Sequence, residues 1–141
     1  MSNEQVAPVS TFLRAAFKGG AIAAALNVVF YFATSAAGVD YTGQIEPGGP
    51  MDAAIPAPMF AISSLIPALF AGLIAWSMRR RTRKAGVIFL GLSIAFALLS
   101  LGGPIGLAGA SLGTKVALSV THFIAAVPIT LALLRGPLRI N

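Results

Sequence analysis

Cysteine is missing from this chain. Its absence excludes disulfides, thiolate catalysis, iron–sulfur clusters and cysteine-ligated zinc. Histidine occurs once, at position 122, so a protein-only transition-metal site has no second imidazole to complete it. Acids are scarce too, with 4 Asp and Glu against 10 Lys and Arg. No paired carboxylate, nucleophile elbow or phosphate-binding loop stands in the sequence, and we read the chain as non-enzymatic. Charged residues make up 10% of the chain, against about 25% in ordinary soluble domains.

What is present is apolar: 57% of residues are hydrophobic and the mean hydropathy is +0.86. The apolar residues gather into runs at about 19–38, 55–78, 85–103 and 116–134. A helix rising about 1.5 Å per residue needs roughly 20 apolar residues to cross a hydrocarbon core about 30 Å thick. The first two runs satisfy this with room for tilt, and the last two just reach it. None has the polar outward face of a soluble bundle helix. The fold class is therefore all-α: a polytopic membrane protein with four transmembrane helices in a single domain over residues 1–141.

The cations set the orientation. Arg14 and Lys18 precede the first run, and Arg79, Arg80, Arg81, Arg83 and Lys84 separate the second from the third. Arg135 and Arg139 follow the fourth, so only Lys115 falls on the opposite side, where Asp40, Glu46 and Asp52 lie. Cationic flanks are retained in the cytoplasm, so both termini and the basic hairpin are expected there and residues 39–54 outside. The expected location is the inner (plasma) membrane, multi-pass. The pI near 10.9 reflects these topology determinants and not nucleic acid, since no aromatic platform is interleaved with the basic residues. The cluster Arg79–Lys84 is also placed to attract anionic lipid head groups, at about 1 kcal/mol per basic residue.

Arg14 and Lys18 before an apolar run, with Ala33-Thr34-Ser35-Ala36-Ala37 behind it, imitate a signal peptide. The run exceeds a signal core, and we read it as an uncleaved first span. Ser10 or Thr11 is expected to cap its helix. Trp76 and Tyr41 fall at opposite interfaces, where amphipathic rings belong. The first external loop is rich in Gly, Pro and acids. Its three acids lack the alternating spacing of a calcium loop, and charge balance explains them. The second, around Gly102–Gly113, reads as a loose loop in preference to a re-entrant turn.

Polar groups inside spans need internal partners. Asn27 is the only side-chain amide in a span, and Tyr31 and Thr34 follow it on one helical stripe. His122 lies in the last run, with Ser119 three residues before it. Asn27 lies about 12 Å, and His122 about 18 Å, from the basic ends of their spans, a depth at which the two side chains can meet. We read them as a structural polar pair. The imidazole also admits two other roles, as a proton relay or as axial ligand to a haem or chlorophyll-type pigment. Without that ligand no cofactor is expected. Pro67 and Pro128 interrupt two spans, with Ser63 and Ser64 one turn before Pro67 to compensate its lost bond. Small residues recur four apart at Gly20/Ala24, Ala21/Ala25, Ser64/Ala68/Gly72 and Gly91/Ala95, ridges that let helices approach closely.

A basic residue before an Ala-rich first helix carrying Ala24-Ala25-Leu26-Asn27, a glycine-containing exit, a basic hairpin and Val120-Thr121-His122-Phe123 in the last helix together resemble bacterial four-span membrane proteins classed only as a domain of unknown function. The resemblance covers about residues 12–135 and implies fold and topology, without reaction or ligand. Two functional classes follow from the residues: a homo- or hetero-oligomeric subunit, self-associating or accessory to a membrane complex, and a small oligomeric transporter or channel using the polar stripe and the proline kinks. A haem- or pigment-binding subunit turning on His122 is a special case of the first.

Overall fold

Proline and glycine set the limits of the first helix. The computed structural model describes residues 6–139. Helix α1 (Val9–Ala36) begins directly after Pro8, whose extended backbone accepts the Thr11 N–H at 3.0 Å. No side chain caps this end, so the expected Ser10 or Thr11 cap is not formed. At the other end Gly38, at φ +93°, sends its N–H to the Ser35 carbonyl while Val39 bonds that of Thr34. This is the Schellman closure, and it needs a residue free to adopt positive φ. The helix starts ten residues before the first apolar run, because Phe12 and Ala16 bury one face of its leading turns while Arg14 and Lys18 stay exposed on another.

Helix α1 is the axis of the molecule, packed between α2 (Ala57–Arg81) and α5 (Leu112–Arg135). Small residues set both distances. A Cβ on Gly20 would lie 2.6 Å from the Ala68 Cβ, and one on Gly72 would lie 2.8 Å from that of Ala16. Against α5, a Cβ on Gly19 would lie 2.8 Å from both the Ile129 Cα and the Pro128 carbonyl oxygen. The ridge Ser64/Ala68/Gly72 is thus spent inside the chain, as is Gly20/Ala24, whereas Ala21/Ala25 and Gly91/Ala95 face outward. Both α2 and α5 run on as single helices through Pro67 and Pro128. Ser63 and Ser64 donate to the Phe60 carbonyl, at 3.3 and 2.9 Å, so neither hydroxyl serves the carbonyl that Pro67 leaves free.

Helix α3 (Ala85–Ser100) and the short α4 (Gly102–Gly106) together make the remaining membrane-length segment, giving, among the described residues, four helices long and apolar enough to cross a bilayer. Packed less extensively than the others, α3 exposes Val87, Ile88, Leu92, Ile94, Phe96 and Leu99.

The two loops at the acidic end form a lid on each other. Thr42–Gly43 (β1) pairs antiparallel with Ala53–Ala54 (β2). Two residues per strand cannot hold a hairpin alone. Support comes from Gln44, whose N–H bonds the Ala108 carbonyl at 2.9 Å, and from Thr114, whose hydroxyl donates to the Asp40 carbonyl. The second loop is therefore not loose. Its Gly109, at φ +74°, abuts the Met51 carbonyl, where a Cβ has no room.

Candidate functional site: an intramembrane polar centre

One amide joins the three tightly packed helices. Asn27 is 2% exposed; its Nδ2 donates to the Ser64 Oγ of α2 at 3.0 Å and to the Thr121 carbonyl of α5 at 3.2 Å. Ser64 passes its own proton to Phe60 and is therefore an acceptor toward Asn27. Facing two acceptors, the amide has only one workable orientation. That leaves the Asn27 Oδ1 buried and without a partner among the described residues. The centre lies between two apolar clusters, one around Phe12, Ala16, Ala68, Phe89 and Leu133, the other around Tyr41, Ile55, Phe60 and Ala117.

His122 stands beside this centre and outside it. The expected pair is replaced by a bond from Asn27 to the backbone carbonyl of the preceding residue. The imidazole is half-buried and makes no hydrogen bond among the described residues. The reason lies in helix rotation: successive residues point about 100° apart. Thr121 faces the axis, so its neighbour does not. From the sequence Ser64 is expected in a packing ridge and as compensation for Pro67, yet its hydroxyl oxygen is what Asn27 bonds.

The rest of the α1 stripe forms the lid's underside. The rings of Tyr31, Tyr41 and Phe60 meet pairwise with centroids 4.7 to 5.1 Å apart. The Thr34 hydroxyl lies 2.7 Å from both the Phe30 carbonyl and the Tyr41 hydroxyl. Either hydroxyl of the Thr34–Tyr41 contact can be the donor. Burial pushes the Tyr41 phenol above its ordinary range, the bond with Thr34 pulls it down, and Tyr31 nearby adds to the rise. At 5% exposure, Tyr41 is a core residue of the lid and not an exposed interfacial anchor.

At the basic end the Arg80 guanidinium lies 4.8 Å over the Trp76 ring, a cation–π contact. Arg80, Arg81, Arg83 and Lys84 are exposed and Arg79 is partly covered. No group of three or more His, Asp or Glu able to hold a metal occurs among the described residues.

Residues 8–139 match the family described as a family of unknown function (DUF6069), and the chain belongs to it. No curated protein and no solved structure matches the chain.

Proposed function

We propose that this chain is a non-catalytic integral membrane subunit that works by lateral association, with its own copies or as an accessory piece of a larger complex. One observation carries the reading. Gly91 and Ala95 lie exposed on α3, with open space where a Gly91 Cβ would stand, while Gly20/Ala24 and Ser64/Ala68/Gly72 are spent on internal packing. Small residues four apart permit close helix approach where lipid removes the hydrophobic incentive. The closed interior argues in the same direction. Gly19 and Gly20 bring α1 against α5 and α2, and Asn27 of the polar stripe is engaged between those helices.

The test is co-purification of two differently tagged copies from native membranes, with native mass spectrometry to identify any other protein retained. Gly91→Leu is expected to weaken association at least about tenfold, equivalent to about 1.4 kcal/mol, at unchanged melting temperature. Unaltered association in both Gly91→Leu and Ala95→Leu rejects the α3 face, and a chain that is always monomeric and alone rejects the reading.

His122 supports a second reading, as axial ligand to a haem or chlorophyll-type pigment, because its half-buried imidazole is unclaimed by hydrogen bonds among the described residues. A visible absorption band in the purified protein, bleached in His122→Gln, would establish it; colourless protein from native membranes removes it.

A further inference from the structure

Between α3 and α5 runs an apolar groove of about 250 Å³, walled by Leu90, Ala97 and Leu98 on one side and Phe123, Ala126 and Leu131 on the other. Neither Gly91 nor Ala95 lines it. The volume equals about eight waters at roughly 30 Å³ each. That suits a stretch of acyl chain and is far too little for a second helix about 10 Å across.

The groove runs along the middle of both helices, and cations stand at one end of the pair that walls it. Lys84 and Arg83 immediately precede α3, and Arg135 is the last residue of α5. Along the helix axes Lys84 lies about 9 Å beyond Leu90, and Arg135 about 6 Å beyond Leu131. All three are exposed, and the described acids Asp40, Glu46 and Asp52 sit in the loop at the opposite end. No carboxylate among the described residues is near to neutralise them. Basic pockets between membrane helices suit anionic head groups, through long-range attraction and charge-assisted hydrogen bonds.

We propose that this groove is a binding site for one anionic phospholipid of the adjacent leaflet, its acyl chain between α3 and α5 and its phosphate held by Arg83, Lys84 and Arg135. Such a lipid would fill the seam where α3 meets α5 and join the least packed helix to the rest of the bundle. This site is separate from the Gly91/Ala95 face, so either proposal can fail alone.

The full-length chain, purified in mild detergent, is offered equimolar phosphatidylglycerol and phosphatidylcholine and examined by native mass spectrometry. One retained phosphatidylglycerol per chain is expected, favoured over phosphatidylcholine by at least about tenfold. Ala126→Phe, which fills the groove from α5, and Ser93→Leu, which fills it from α3, should each abolish retention; circular dichroism identifies whichever remains folded. The triple change Arg83→Gln, Lys84→Gln and Arg135→Gln should remove the preference for the anionic lipid. Arg14→Gln with Lys18→Gln, on the same end but off the groove, should leave it intact. Equal binding of the two lipids overturns the proposal. So does a folded groove-filling variant that still retains phosphatidylglycerol, since that outcome reduces the site to surface attraction. A groove occupied by a second copy, read as a lipid-free dimer lost in Ala126→Phe, overturns it equally.

Discussion

At the residue scale, Asn27 is where the largest penalties should appear. Its amide supplies two donors to buried acceptors on two other helices. Interhelical hydrogen bonds in membranes contribute about 0.6–2 kcal/mol. Asn27→Ala should therefore lower stability by about 1–2 kcal/mol, and Ser64→Ala by rather less, since Thr121 remains. Asn27→Asp should cost more than either, at least about 2.5 kcal/mol, because a carboxylate would face two acceptors with no donor and carry charge into the bilayer. Denaturant or SDS titration in mixed micelles checks the order Asp, Ala, Ser64→Ala; an Asp variant as stable as wild type would remove the centre from the argument. His122 is expected to behave otherwise. Lacking a hydrogen-bond partner, it should tolerate Gln and Leu alike, within about 0.5 kcal/mol of wild type. A marked preference for Gln would restore the pairing that the sequence suggested.

Tyr41 extends the residue scale to pH. Its phenol titrates above its ordinary value of about 10 when folded, mainly because it is buried. The unfolded chain then loses that proton first. The associated stability is complete below pH about 10 and is lost as pH rises through the folded pKa. Melting temperature should fall on going from neutral to strongly alkaline pH, and Tyr41→Phe, which keeps the ring, should flatten that fall. An identical slope in the variant would show that other groups cause it.

At the element scale, glycine placement separates internal seams from outward faces. Gly72→Leu puts a branched chain where even a lone Cβ would lie 2.8 Å from the Ala16 Cβ and 3.2 Å from the Phe12 carbonyl oxygen. It should cost at least about 1–3 kcal/mol through overpacking. Leu73→Ala, one residue away and 43% exposed, trims a side chain on the lipid side and should cost far less. Gly19→Ala belongs with Gly72→Leu, because the atoms it would strike are backbone of α5. Thermal unfolding in detergent measures all three, and equal losses for Gly72→Leu and Leu73→Ala would refute the register. At this scale the sequence also carried one signal that was legible and not read. Glu46-Pro47-Gly48-Gly49 has proline and then glycine at the central positions of a type II turn. The chain turns there, with Gly48 at φ +76° and the Gly49 N–H on the Glu46 carbonyl at 2.9 Å.

At the scale of the whole molecule, antiparallel packing brings Arg14 and Lys18 of α1, the cations between α2 and α3, and Arg135 at the end of α5 to one end, with the acidic hairpin and Lys115 at the other. From the cation bias the basic end is expected on the cytoplasmic side. The cysteine-free chain makes this testable: Glu46→Cys should react with an impermeant thiol reagent in intact cells, and Thr82→Cys only after lysis. The reverse pattern would invert the orientation.

Four spans, their order and the polarity of their ends were readable because hydropathy and charge add up along a chain, and crossing a bilayer depends on those sums. That Asn27 bonds another helix was readable for the same reason, since a buried amide in hydrocarbon must find a partner somewhere. Which partner it finds was decided only in three dimensions. Gly19 against Pro128 and Gly20 against Ala68 fix the rotation and register of α1, and that register brings Asn27 to Ser64 and the Thr121 carbonyl, with His122 turned aside. The early start of α1 and the pairing of the two loops escaped the sequence for a related cause. Phe12, Ala16, Leu107 and Ala108 owe their places to residues far along the chain, and contacts of that kind leave no periodic trace in the segments that make them.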